Sequence, residues 1–225
     1  MENNFKKKSN LSRLADKIQR RNRGNVNMLI KNYFYYFLSK VKNFTKDKRA
    51  YIILQLNKKS IIAEVGVWQG DFSKLIYNYS LPKKLVLVDP WIFDSKIRGC
   101  APQVDGNEPL SQKFFDDAKI STYKKFKGLA NVSIIEKNSY KGSNMFDNEY
   151  FDYIYIDGEH SYEAVFNDLL YWYPKLKKNG KIFGDDFYWR EEDNSFSVKK
   201  AYEDFILKNN VKKWCVFKSQ ICLIK

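Results

Sequence analysis

The sequence predicts an α/β fold built on a largely parallel sheet, preceded by a basic, helical appendage. Three observations predict it. From Ser60 onward, short apolar runs alternate with helix-like stretches, the texture of strands joined by crossover helices. Glycines and carboxylates sit at the ends of those runs, where open α/β sheets bind ligands. The last two apolar runs are separated only by Ser219 and Gln220, too short for a crossover but enough for a hairpin.

The appendage comes first. Residues 1–50 hold 14 Lys/Arg against 3 Asp/Glu, whereas residues 51–225 hold 26 against 23, so most of the net charge of +14 is N-terminal. Residues 1–25 are polar and read as a disordered or loosely docked arm. Its Lys6, Lys7, Lys8, Arg20, Arg21 and Arg23 could meet phosphate, nucleic acid or an anionic membrane; a merely solvated arm is the plain alternative. Over residues 27–56, Met28, Leu29, Tyr33, Phe37, Val41 and Phe44 recur near helical spacing, which predicts an amphipathic helix packed on the body or a partner. Peripheral membrane contact through its aromatics is the alternative. The expected division is therefore an arm and helix over 1–56 and a main domain over 57–225. With 225 residues, 44% apolar and 17% aromatic, the chain suits one sizeable core.

In the body, Ile61–Val65, Leu85–Asp89, Val132–Glu136, Tyr153–Asp157 and Lys181–Asp185 read as strands, and Phe72–Tyr79, Leu110–Phe126, Tyr162–Leu176 and Val198–Leu207 as helices. Trp214–Lys218 and Ile221–Ile224 make the closing hairpin, which gives the sheet an antiparallel strand. Residues 92–109 form a long connection straight after a strand end, the usual place of a lid, with an inert insertion as the other reading. Cys100, Cys215 and Cys222 are scattered without a CxxC pair, and no apolar stretch approaches the roughly twenty residues that span a bilayer. Both point to a reducing, cytoplasmic location.

The chemistry lies at the strand ends. The first strand runs into Glu64-Val-Gly66-Val-Trp-Gln-Gly70-Asp71, where glycines permit a tight turn and close approach of a ligand to the backbone. Asp89 ends the second strand, placed to accept hydrogen bonds from ribose hydroxyls. These features alone leave open a nicotinamide cofactor or S-adenosylmethionine. The E-x-G-x-x-x-G spacing and the carboxylates of Glu64 and Asp71 suit a cationic sulfonium better than the diphosphate favoured by G-x-G-x-x-G. Further on, Asp157 closes one strand and Asp185 and Asp186 the next, so three carboxylates should converge on one rim. Like charges at that density call for a cation, and oxygen ligands suit Mg²⁺. His160, the one histidine of the chain, follows Asp157 by three residues and is placed to act as general base on a substrate hydroxyl, although lone histidines are more often structural.

The segments AEVGVWQGDFS, LVLVDPW, FDYIYIDGEHSYEAVFNDLLYWYPKLKKNGKIFGDDF and VKKAYEDF together resemble the class I S-adenosylmethionine-dependent methyltransferases. Within them the chain is similar to the macrocin O-methyltransferase group, and more distantly to catechol O-methyltransferase. The resemblance covers about three quarters of the chain, from residue 60 on. It implies a Rossmann-like, doubly wound, seven-stranded sheet with the last strand antiparallel. By the same resemblance Glu64, Gly66 and Gly70 line the methionine end of the cofactor, Asp89 binds its ribose, and Asn138 and Ser139 approach the adenine. Asp157, Asp185 and Asp186 correspond to the divalent-metal ligands and His160 to the base of the sugar-modifying members. The implied activity is O-methyl transfer onto a hydroxylated small molecule or glycoside, and assembly into a homo-oligomer is left open.

Two rivals remain. A nucleic-acid methyltransferase guided by the basic arm is opposed by the near-neutral body and by the lack of an Asn/Asp-Pro-Pro-Tyr/Phe motif. A non-catalytic binding module on the same fold is opposed by intact acidic residues at every expected strand end.

Overall fold

β-Branched and aromatic residues recur in each of the seven strands of the body: β1 (Ile61–Val65), β2 (Lys84–Val88), β3 (Val132–Ile135), β4 (Phe151–Ile156), β5 (Leu176–Gly184), β6 (Lys213–Phe217) and β7 (Gln220–Ile224). The computed structural model describes residues 24–41, 47–94, 111–191 and 193–225. Most of the basic arm, Cys100 and most of the expected lid lie outside the described residues.

The strands form one sheet in the order β3-β2-β1-β4-β5-β7-β6. β1 to β5 pair in parallel, while β7 is antiparallel to both β5 and β6. The expected doubly wound, seven-stranded sheet with its antiparallel strand is thus present. Period-two alternation supplies both faces: Ala63, Val65, Val86 and Val88 pack on one side, and Ile62, Leu85 and Leu87 on the other. The first face is covered by α6 (Tyr162–Trp172) and α7 (Ser197–Lys208); the second takes α3 (Asp71–Ser80) and α4 (Gln112–Phe126). The chain leaves β1 toward β2 and β3, then returns to place β4 on the opposite side of β1. That reversal opens a crevice at the carboxyl ends of β1 and β4.

The N-terminal helical segment is two pieces, α1 (Val26–Val41) and α2 (Ala50–Ile53), with residues 42–46 outside the described set. Gly24 and Asn25, expected in the loose arm, instead extend the edge of β6: Gly24 bridges to Cys215, and the Asn25 amide donates to the Trp214 carbonyl at 2.6 Å. Leu29 is buried, and the Asn32 amide donates to Cys215 Sγ at 3.2 Å. Ile30, Tyr33, Phe34 and Phe37 stay exposed. Among the described residues no helix is long and apolar enough to cross a membrane.

Two local differences have simple causes. The helix expected to run to Leu176 stops at Trp172, and β5 begins at Leu176 with a pairing slip between Phe151↔Leu176 and Tyr153↔Lys181. Lys177-Lys178-Asn179-Gly180, which falls between the expected helix and strand, lies inside β5 at the pairing slip. The short α5 (Ser139–Ser143) went unread because five residues are too few to show a helical period.

Candidate active site

The end of β1 is built by close backbone approach. Gly66 has φ 84, and a Cβ there would lie 2.1 Å from the Asp157 carbonyl oxygen. Gly70, at φ 76, caps the N-terminus of α3. Asp89 clamps the turn between them: one oxygen accepts from the Val67 and Trp68 amides at 2.8 and 2.9 Å, and the other from the Trp91 amide at 2.8 Å. Burial raises the Asp89 carboxyl above its ordinary range, and these three donors oppose the rise.

Beside this turn lies a cleft of about 620 Å³, lined by Glu64, Gly66, Asp89, Asn138, Ser139, Asp157, His160 and Asp186 among others. Its size suits a nucleoside-sized ligand. A larger groove of about 840 Å³ lies along α4 and β3, but its lining of Lys119, Tyr123, Lys124, Leu129 and Ile134 contains no carboxylate. Glu64 is 2% exposed, and its Oε2 has no hydrogen-bond partner. Burial pushes its carboxyl up to about 8, with the Ser73 hydroxyl and the Arg49 guanidinium partly opposing. A buried acceptor left unpaired in a cleft wall is costly unless a ligand satisfies it. Asp71, the second local carboxylate, also lines the cleft, with its side chain 74% exposed at the rim and ion-paired with Lys125.

Just beyond β3, the Asn138 side chain caps α5 by accepting from the Lys141 amide at 2.9 Å, and Ser139 Oγ accepts from Trp172 Nε1 at 2.8 Å. Both line the cleft while holding its wall in place. Asp168 also lines it. Burial pushes its carboxyl up to about 7, the Ser139 hydroxyl working against the rise. Sequence reasoning missed it, although a carboxylate on the buried stripe Val165, Asp168, Leu169, Trp172 is a legible signal.

The acidic rim divides in two. Asp157, His160 and Asp186 each offer a ligand atom within 4.8 Å of the others. His160 Nε2 lies 3.2 Å from Asp186 Oδ2, the imidazole stacks on Trp189 at 4.5 Å between ring centroids, and Nδ1 is buried without a partner. Asp186 adopts φ 47, a strained conformation for a non-glycine residue and one often found at functional positions. Asp185 faces the other way. Its oxygens accept from the Tyr155 hydroxyl at 2.7 Å, the Asp186 amide at 2.7 Å, the Gln220 side-chain amide, and Arg49 Nη1 at 3.5 Å. That same Nη1 stands 3.2 Å from Asp157 Oδ2. Burial and Asp185 raise the Asp157 carboxyl, while Arg49 and His160 hold it down. Part of the negative charge that the sequence assigned to a metal is thus met by a guanidinium from the N-terminal segment.

Asp157 and Asp186 fit a divalent ion as donors. Mg²⁺ is commonly held by one or two carboxylates, with waters or substrate oxygens completing its shell.

A family model described as a methyltransferase domain matches residues 63–187. The fold is similar to that of a candidate rRNA methylase from Clostridium thermocellum, at TM-score 0.52 and 14% identity over 77% of this chain and 91% of that one. It is equally similar to the O-methyltransferase NovP, at TM-score 0.52 and 14% identity over 74% of this chain and 72% of that one. No curated protein matches the sequence.

Proposed function

The chain belongs to the methyltransferase domain family, a class I S-adenosylmethionine-dependent methyltransferase, and from that premise we propose that it methylates a hydroxyl of a sugar or other small molecule. The observation that carries this reading is the partnerless, buried Oε2 of Glu64 in the same cleft as Asp157, His160 and Asp186. A cationic methionine end would satisfy the first, and a polar acceptor would meet the second.

In this reading Glu64 pairs with the ammonium of the donor, and the Gly66–Gly70 turn leaves room for its methionine end. Asp89 reaches the ribose with lone pairs not taken by the turn, and Asn138 and Ser139 border the adenine. A substrate oxygen attacks the sulfonium methyl in line, the carbon–sulfur bond breaks, and S-adenosylhomocysteine leaves. His160 takes the hydroxyl proton, its ring fixed by Trp189 and Asp186. Catalysis is then mainly alignment, since the donor is already activated. Asp157 and Asp186 would hold a divalent ion, with Asp185, the third carboxylate of the expected set, engaged with Arg49; such an ion makes neighbouring hydroxyls more acidic.

The acid-lined cleft and near-neutral body oppose a nucleic-acid acceptor. Free, buried Cys215 and Cys222, opposite each other on β6 and β7 without a disulfide, support a reducing cytoplasmic setting.

Calorimetric titration with S-adenosylmethionine, with and without Mg²⁺, tests the donor. Mass spectrometry for an added methyl across sugar nucleotides, glycosides and catechols tests the acceptor, and an RNA panel is the counter-test. His160→Ala is expected to leave donor affinity within about threefold and lower kcat by ~100-fold or more, the usual contribution of a general base. Lost affinity with unchanged turnover would contradict the assignment.

A further inference from the structure

We infer that Arg49 is a resident cation of the acidic rim, anchored by Asp47 and Asp185, that shares Asp157 with the divalent ion and thereby weakens that ion's binding. The inference rests on the metal reading proposed above and gives Asp185 a different task, that of holding Arg49 rather than the ion.

Arg49 precedes the residues matched by the family model, so it is a feature of the N-terminal segment brought to the site. Its guanidinium is held from three sides. Nε and Nη2 donate to the two oxygens of Asp47 at 3.1 and 3.0 Å, Nη1 reaches Asp157 and Asp185, and Cζ lies 4.1 Å from the centroid of the Phe72 ring on α3. A planar fork with this many fixed partners is pre-organised, unlike a lysine. Asp185 is saturated by donors from Tyr155, Gln220, Asp186 and Arg49, which leaves little lone-pair capacity for an ion. Asp157 is the shared group: Oδ2 faces Nη1, and a carboxylate oxygen of the same residue belongs to the cluster with His160 and Asp186.

Two cations drawing on one carboxylate oppose each other. An ion entering beside Asp157 must therefore displace Nη1 or bind against its charge. Before any ion binds, the guanidinium relieves the repulsion between Asp157 and Asp185, so the rim is stable while it waits.

Mn²⁺ alone is the probe, its free fraction followed by electron paramagnetic resonance in the full chain. Arg49→Gln is expected to bind Mn²⁺ at least roughly tenfold tighter than the parent, because a competing charge is removed. Unchanged or weaker binding overturns the inference. Asp185→Asn keeps the side-chain shape and guards against a folding defect in the first variant. It is expected to hold Mn²⁺ within about threefold of the parent, whereas a loss of roughly tenfold or more would make Asp185 an ion ligand and overturn the assignment. Absence of Mn²⁺ binding in parent and variants alike removes the metal reading and this inference together, while donor binding by calorimetry reports separately on the methyltransferase reading.

Discussion

Glu64→Gln is expected to weaken S-adenosylmethionine binding by roughly 30-fold or more, the scale of a lost hydrogen bond to a charged group, and at the same time to stabilise the unliganded protein above neutral pH. Both effects come from one buried carboxyl. In the folded chain burial pushes Glu64 up to about 8, whereas in the unfolded chain it titrates near its ordinary value of 4.5. Below about pH 4.5 both states hold the proton, and Glu64 adds no pH dependence. Between there and about 8 the folded state holds a proton that the unfolded state has released, so stability falls as pH rises. Above about 8 both are ionised and the loss levels off, at a total on the order of 3–5 kcal/mol. Glutamine removes the titration while keeping the shape. Urea midpoints of parent and Glu64→Gln should therefore coincide near pH 4.5 and diverge steadily toward pH 8, the variant becoming the more stable.

The same carboxyl must ionise to pair with a donor ammonium. Donor binding to the parent should then release protons near neutral pH, visible as a buffer-dependent calorimetric heat, and Glu64→Gln should show much less. Equal affinities, or urea midpoints that stay together across the range, would remove Glu64 from the donor site.

How much of this was legible depends on the range of each signal. β1 was read to its last residue because β-branched Ile61, Ile62 and Val65 bound a short run closed by Gly66, a glycine at positive φ. The β6–β7 hairpin was legible because a two-residue gap leaves the chain no other connection. Parallel strands deliver their carboxyl ends to one edge, which brings Glu64, Asp89, Asp157 and Asp186 to one cleft, while Gly70 and Asp185 do not line it. Side-chain direction was not legible. Asp185 and Asp186 are neighbours in the chain, yet Asp185 turns toward Tyr155, Gln220 and Arg49 while Asp186 meets His160. That divergence depends on the positive φ of Asp186, which sequence pattern does not encode for an aspartate. Arg49 was hidden for a related reason: within a stretch rich in lysine and arginine, one guanidinium with a long-range partner looks like the rest.

Gly66→Ala should be the most damaging single-methyl addition at the site, costing roughly 3–5 kcal/mol. Alanine at φ 84 is strained, but the larger cost is steric. Its Cβ would lie 2.1 Å from the Asp157 carbonyl oxygen, 2.4 Å from its carbonyl carbon and 2.7 Å from Gly158 Cα, all backbone atoms that no rotamer change can move. Relief requires the carboxyl ends of β1 and β4 to part, at the expense of the Asp157 amide bond to the Val65 carbonyl at 2.8 Å. Gly128→Ala separates the two costs, because Gly128 has φ 78 but nothing within 4 Å of an added Cβ. That control should lose only about 1–2 kcal/mol, the conformational penalty by itself. The difference between the two urea midpoints then measures how tightly β1 and β4 are closed over each other. Should Gly66→Ala unfold within about 1 kcal/mol of Gly128→Ala, the two strand ends would be free to part, and the Gly66 turn could not be what fixes Glu64 and Asp157 against a common ligand.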